Sequence, residues 1–250
     1  TVIEDHRKSG IALTTLGFGQ DNYNDAMAVM LADAGNGSHH YIDTLQEGRR
    51  VLVDEMSATL LTIAKDVKIQ IEFNPSQVQE YRLIGYEKRM LKREDFNNDK
   101  VDAGEIGAGA NVTAIYEITL KGSHGARIDP LRYGVSAKVS SDGNELAFLR
   151  LRYKLPEQST SKLIERPIAA TAETSASERL RYAAAVSAFA DALRGGKYLD
   201  GFSYKQIAAL ANSARGSDAS GYRAGFVQLV KLAEGLETPA HDRTADTAAH

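Results

Sequence analysis

Short oxygen-bearing side chains recur at alternate positions in Asp95-Phe96-Asn97-Asn98-Asp99, and the polar stretch runs on through Lys100, Asp102 and Glu105. Asp95, Asn97 and Asp99 stand at the first, third and fifth places of a calcium loop, where such ligands converge on a hard cation. A metal-assisted hydrolase using Asp95, Asn97, Asp99 or Glu105 would activate water on that ion. Two residues oppose it. Lys100 falls at the sixth place, where the sharp turn wants glycine, and Ile106 at the twelfth, where a bidentate Glu belongs. The plainer expectation is a polar loop between strands, its Asn and Asp side chains bonded to their own backbone.

The remaining chemistry-bearing residues converge less. His39 and His40 are neighbours on an expected strand, so they face opposite ways and cannot share a metal. His6 belongs to a first helix, His124 to a glycine-rich turn, and His241 and His250 to a polar tail. Gly17, Gly19, Gly35 and Gly37 lack the spacing of a phosphate loop, and Gly104-Glu105-Ile106-Gly107-Ala108-Gly109-Ala110 leads into a strand instead of a helix whose amides could hold an anion. The latter reads as tight turns. No Gly-x-Ser-x-Gly elbow is present, and Glu94 with Asp95 are adjacent carboxylates and nothing more. Tyr81, Tyr86, Tyr116, Tyr133 and Tyr153 could form a binding surface, though packing at a sheet rim is the favoured use. No catalytic, cofactor-binding or metal-binding residue is assigned, and the chain is not expected to be an enzyme.

These residues are placed by elements that change character along the chain. Residues 1–66 read as helix, strand, helix, strand, helix. Gly10 stops a first helix, and 11–19 is a mostly apolar run of the kind covered on both faces. Asn24 or Asp25 caps a helix bearing Met27, Met30 and Leu31, closed by Gly35-Asn36-Gly37; 39–43 is a short strand. Thr44 and Glu47 form a capping box for a helix over 44–65. The period then shifts to two, with Val67, Ile69, Ile71 and Phe73 alternating against polar residues, and strands are expected at 81–86, 111–120 and 145–153. Leu163-Ile164-Glu165-Arg166-Pro167-Ile168 suits an edge strand, Pro167 on the open side. Helices over 177–194, 203–214 and 219–236 form a small cluster. The fold class is therefore α+β: a truncated α/β remnant, then an antiparallel β domain with a three-helix cluster. The boundaries are 1–66, 67–172, 173–237 and a disordered tail over 238–250.

Composition narrows the function. The chain has 33 acidic and 30 basic residues in 250 and no long basic run, which argues against nucleic acid. Cysteine is absent, removing disulfides and thiolate ligands together. No stretch approaches the roughly 20 apolar residues of a membrane span. Thr1 opens the sequence with neither initiator Met nor leader, so the chain is expected to come from a longer protein.

Several segments resemble bacterial proteins of the von Willebrand factor type A class, in the extracytoplasmic group with a distinctive carboxy-terminal region, sometimes labelled calcium-activated chloride channel homologues. The segments are Leu13-Thr14-Thr15-Leu16-Gly17-Phe18-Gly19 with Asn22-Tyr23-Asn24-Asp25, Leu31-Ala32-Asp33-Ala34-Gly35-Asn36-Gly37, Tyr41-Ile42-Asp43, Tyr81-Arg82-Leu83-Ile84-Gly85-Tyr86, and Gly221-Tyr222-Arg223 with Phe226-Val227-Gln228-Leu229-Val230. The resemblance implies that 1–66 is the carboxy-terminal half of an A domain. It also implies that a divalent cation, magnesium or calcium, belongs only to the intact parent, since the motif Asp-x-Ser-x-Ser is missing here. A protein-interaction or scaffolding module at the cell envelope or in the periplasm is the leading expectation, with an unidentified protein partner and a dimer possible through the open remnant strand. A carbohydrate- or peptidoglycan-binding module, with tyrosines flanking a polar groove, is the alternative beside the metal-assisted hydrolase.

Overall fold

The computed structural model describes residues 2–19, 23–56, 58, 61–86, 90–123, 125–128, 144–171 and 175–236. These fall into two compact units, one within Thr1–Glu80, Lys88–Thr113 and Thr119–Ala170, the other within Tyr81–Glu87, Ala114–Ile118 and Thr171–His250. The first unit thus runs across the boundary expected at 66/67, and the second takes the inner ends of two strands together with the helices. His124, Tyr133, His241 and His250 lie outside the described residues.

The first unit begins as an α/β segment. Helix α1 (Val2–Lys8) ends before Gly10, which takes a φ of 87°. Strand β1 (Leu13–Phe18) and strand β2 (Asn36–Ile42) run parallel, joined by helix α2 (Asp25–Ala34). Asn24 caps α2 by accepting from the Met27 amide, and Gly35 closes it. The glycine pair does more than end a helix, because β2 starts at once on Asn36, whose φ of 51° suits an Asn. Helix α3 (Leu45–Arg49) is short and passes into a π-helical turn, Arg50–Asp54. Thr44 does cap it through the Glu47 amide, but the Glu47 carboxylate turns to Arg50 instead of back to the cap.

The helix expected over 44–65 is therefore a correction. Thr62 to Lys65 belong to strand β3 (Thr62–Phe73), where Thr62 and Ala64 pair with Gly107 and Ile106 of β5 (Gly104–Gly107). A β-branched pair with a partner strand outweighs an apolar spacing that also suits a helix. That same pairing makes a strand of 104–107, which reads in sequence as turns.

The main sheet is four-stranded, in the order β5-β3-β7-β8, with β7 (Glu145–Lys154) and β8 (Lys162–Ala169) antiparallel to their neighbours. Its register puts Ile69, Ile71 and Phe73 beside Leu151, Leu149 and Ala147, and these beside Ile164, Arg166 and Ile168. The opposite face carries Lys68, Gln70, Arg150 and Arg152. β8 is an edge strand, as its sequence suggests, with Pro167 opposite Phe148. Strands β4 (Val78–Ile84) and β6 (Ile115–Leu120) form a separate pair.

In the second unit, helices α4 (Glu178–Leu193), α5 (Tyr204–Ser213) and α6 (Tyr222–Leu236) bury Ala185, Phe189, Ile207, Ala208, Ala211, Val227 and Val230. Local signals fix their starts: Ser177 accepts from the Leu180 amide, and Ser203 and Gln206 form a reciprocal capping box. Phe189 meets Phe226 edge-on at 5.5 Å. The Arg82 guanidinium binds Glu117 at 2.6 Å and the buried Asp191 at 2.8 Å while lying 3.9 Å from the Tyr198 ring centre, which ties the strand ends to α4.

Candidate functional site

The 93–105 loop folds around protein cations. Its first turn, the 3₁₀ helix Arg93–Asn97, buries Phe96 against the polar face of the sheet. Lys68, only 2% exposed, donates to the Asp95 carbonyl at 3.2 Å and to the Asn98 carbonyl at 2.6 Å. Lys154 donates to the Asp99 carbonyl and to Asp66 Oδ2, both at 2.7 Å. Arg152 takes Asn97 Oδ1 at 3.0 Å, and the Ser161 amide donates to Asp99 Oδ2 at 3.2 Å. The Ser161 bonds hold the Asp99 carboxyl below its usual range. Two of the side-chain oxygens that would serve a calcium ion, Asn97 Oδ1 and Asp99 Oδ2, are thus engaged by Arg152 and the Ser161 amide, while lysines from β3 and β7 hold the loop's carbonyls. Among the described residues no three His, Asp or Glu side chains gather as a metal site.

Glu105, on the strand paired with β3, is near enough to Asp66 for the two charges to interact, and it also bonds towards the α/β segment. Asn36 Nδ2 donates to Glu105 at 3.3 Å and to Asp102 at 3.2 Å, and Arg7 reaches Asp102 at 3.0 Å. Burial pushes the Glu105 carboxyl up; the Asn36 bond opposes this and the Asp66 charge adds to it.

A second cluster occupies the face of β1 and β2 that α2 covers. Thr15 donates to the Ala28 carbonyl at 3.1 Å and therefore accepts from His39 Nδ1 at 2.8 Å. His39 Nε2 and the Tyr23 hydroxyl are bonded to each other at 2.5 Å, and that hydroxyl also donates to Asp25 Oδ1 at 3.4 Å. The Tyr23 ring lies on Gly17, where a Cβ would stand 2.5 Å from it, and tilts against Tyr41 with ring centres 5.0 Å apart. Desolvation and the Asp25 charge raise the Tyr23 hydroxyl above its ordinary range, so the phenol stays protonated and is no nucleophile. This cluster fastens Tyr23 against β1 and β2.

His40, on the other face, bonds Ser38 at 2.8 Å. Burial, then the Arg50 charge, lowers its pKa. A histidine kept neutral in the folded state contributes stability that is present above the unfolded value and lost as pH falls through the folded one. The His40 ring is accordingly expected to titrate below about 6.5, measured by its NMR shifts. A midpoint above that value would contradict this environment.

Of the described tyrosines, Tyr81 and Tyr86 are exposed, while burial raises the Tyr116 hydroxyl. Sequence reasoning missed Tyr23, Thr15, Lys68, Arg152, Lys154 and Asp66 as members of clusters. Gly17 followed by a tyrosine six residues on was the available signal for the Tyr23 seat; the cations of the loop had none nearby.

With this geometry in view, the model of the family described as "Uncharacterized protein YfbK, C-terminal" matches residues 58–236. The chain belongs to the YfbK carboxy-terminal family. It is 50% identical over 238 residues to "Uncharacterized protein YfbK" of Escherichia coli (strain K12), covering 94% of this chain and 41% of that protein. The chain therefore spans about two-fifths of the length of this relative. The crystal structure of the ArnB paralog VWA2 from Sulfolobus acidocaldarius aligns with 90% of this chain and 55% of its own, at 12% identity and a TM-score of 0.36, a likeness too slight to bear on function. No helix among the described residues of this YfbK-family chain is long and apolar enough to cross a membrane.

Proposed function

We propose that this chain is a non-catalytic interaction and scaffolding module of a longer extracytoplasmic protein, with residues 1–66 completing a von Willebrand factor type A-like unit. The observation that carries the reading is the edge of β1 that no strand among the described residues pairs. A parallel strand pair is normally buried within a larger sheet, yet Leu16 and Phe18 are 37% and 61% exposed beside an edge that bears no charge and no proline. The contrast with β8 is instructive: that edge carries Lys162, Glu165, Arg166 and Pro167, the usual defences against strand addition. Met27 and Met30 on the outer face of α2 are also more than half exposed, and methionine adapts well to partner surfaces. A strand from the rest of the longer polypeptide would cover the β1 edge.

The divalent cation of such units does not fit the residues present, because Asp-x-Ser-x-Ser is absent and the acidic loop is held by lysines and Arg152. Paired pull-downs from cell-envelope extract test the module reading, with this chain and the longer protein as baits, each in magnesium and in EDTA. A partner held by both baits in either condition is the expected result. A partner held only by the longer protein in magnesium would remove recognition from this chain.

A further inference from the structure

We propose that Lys154 and Asp66 join through an isopeptide bond, a covalent strut between β7 and β3 in a chain that has no cysteine to make one by oxidation. The two side chains meet at 2.7 Å and are withdrawn from solvent, 11% and 17% exposed. Asp66 sits at an irregularity of β3, with a φ of 51°, where the register with both neighbours shifts. Lys154 Nζ is aimed by a second bond, to the Asp99 carbonyl at 2.7 Å. The other carboxyl oxygen, Asp66 Oδ1, accepts from the Ala103 amide at 3.1 Å, which places a donor where negative charge develops as a carboxyl carbon is attacked. Glu105 completes the arrangement. It lies on β5 between Gly104, paired with Val67, and Ile106, paired with Ala64, and so stands across from the irregularity that holds Asp66. Burial keeps its proton affinity high, as a proton carrier requires.

The step balances without a co-reactant. Proton transfer within the ion pair yields a neutral amine and a protonated carboxyl. The Nζ lone pair attacks Asp66 Cγ, and the Nζ–Cγ bond forms while Oδ1 takes the charge against the Ala103 amide. Glu105 moves a proton from Nζ to Oδ2, the Cγ–Oδ2 bond breaks, and one water leaves; Glu105 ends as it began. Amide formation in water is uphill for separate molecules, but here the entropy of bringing the groups together is already spent in folding, and groups held in contact react as though at roughly 10⁵–10⁸ M.

Intact-mass measurement of the purified full chain decides it. The expected mass is one water below that of the sequence, with tandem spectra showing a branched peptide that joins Lys154 to Asp66. A mass equal to the sequence overturns the proposal. So does a one-water deficit that maps to a cyclic imide at Asp142-Gly143. Lys154→Arg keeps the charge and is expected to restore the full mass. Glu105→Gln leaves the pair in place and is expected to slow water loss about 100-fold on refolding; an unchanged rate would overturn the role given to Glu105.

Discussion

Gly37→Ala is expected to separate β1 from β2. A Cβ at this position would lie 1.8 Å from the Leu13 carbonyl oxygen and 2.3 Å from its carbon, contacts with backbone that no side-chain rotation relieves. The close approach has a local cause. Leu13 pairs with Asn36 but Thr15 with His39, so β2 carries an extra residue here, and the Ser38 amide turns to the Thr14 hydroxyl at 3.4 Å. Only glycine lets the bulged backbone pass so near its partner. Overpacking of this kind costs about 3 kcal/mol or more when the backbone must move. Hydrogen exchange should show lost protection over 13–18 and 36–42, with the helices of 178–236 unchanged because they form their own core. Wild-type protection across β1 and β2 in the variant would mean that the close contact is not needed, and would weaken the β1 edge as the basis of the module reading.

The parts of the fold legible in the sequence are those whose causes are local. Ser177 and Ser203 announce helices because a cap acts within its own first turn, and β7 shows because Leu149 and Leu151 alternate with Arg150 and Arg152 on a sheet with one apolar face. Residues 62–65 are not legible, since Thr62 and Ile63 fit a helical spacing until Gly107 and Ile106 arrive as partners from more than forty residues away. The acidic loop divides in the same way. Lys100 and Ile106 argue against calcium from within the motif, but the groups that take its place, Lys68 and Lys154, come from 27 and 55 residues off. Alternation likewise sets His39 and His40 on opposite faces, yet says nothing of Tyr23 settling on Gly17.

The distance between that loop and its cations makes Lys68→Met the sharpest probe of the polar face. Methionine nearly matches the lysine stem in length and leaves the apolar packing in place, so the variant isolates the ammonium. Without it the Asp95 and Asn98 carbonyls lose their charged donor and keep only the Asn98 and Val101 amides, each at 3.2 Å. Hydrogen bonds from a charged donor contribute about 1.5–3 kcal/mol each. The two bonds share one ammonium, so a total of about 2–4 kcal/mol is expected. It would be seen as a lower denaturant midpoint and as exchange of the 93–101 amides. Calcium should not restore it, because Arg152 and the Ser161 amide still hold Asn97 and Asp99, and Lys154 Nζ still donates to the Asp99 carbonyl. If calcium instead raised the midpoint of the variant in proportion to its concentration, the loop would be a cation site held shut by a lysine, and the metal-assisted reading would regain its ground.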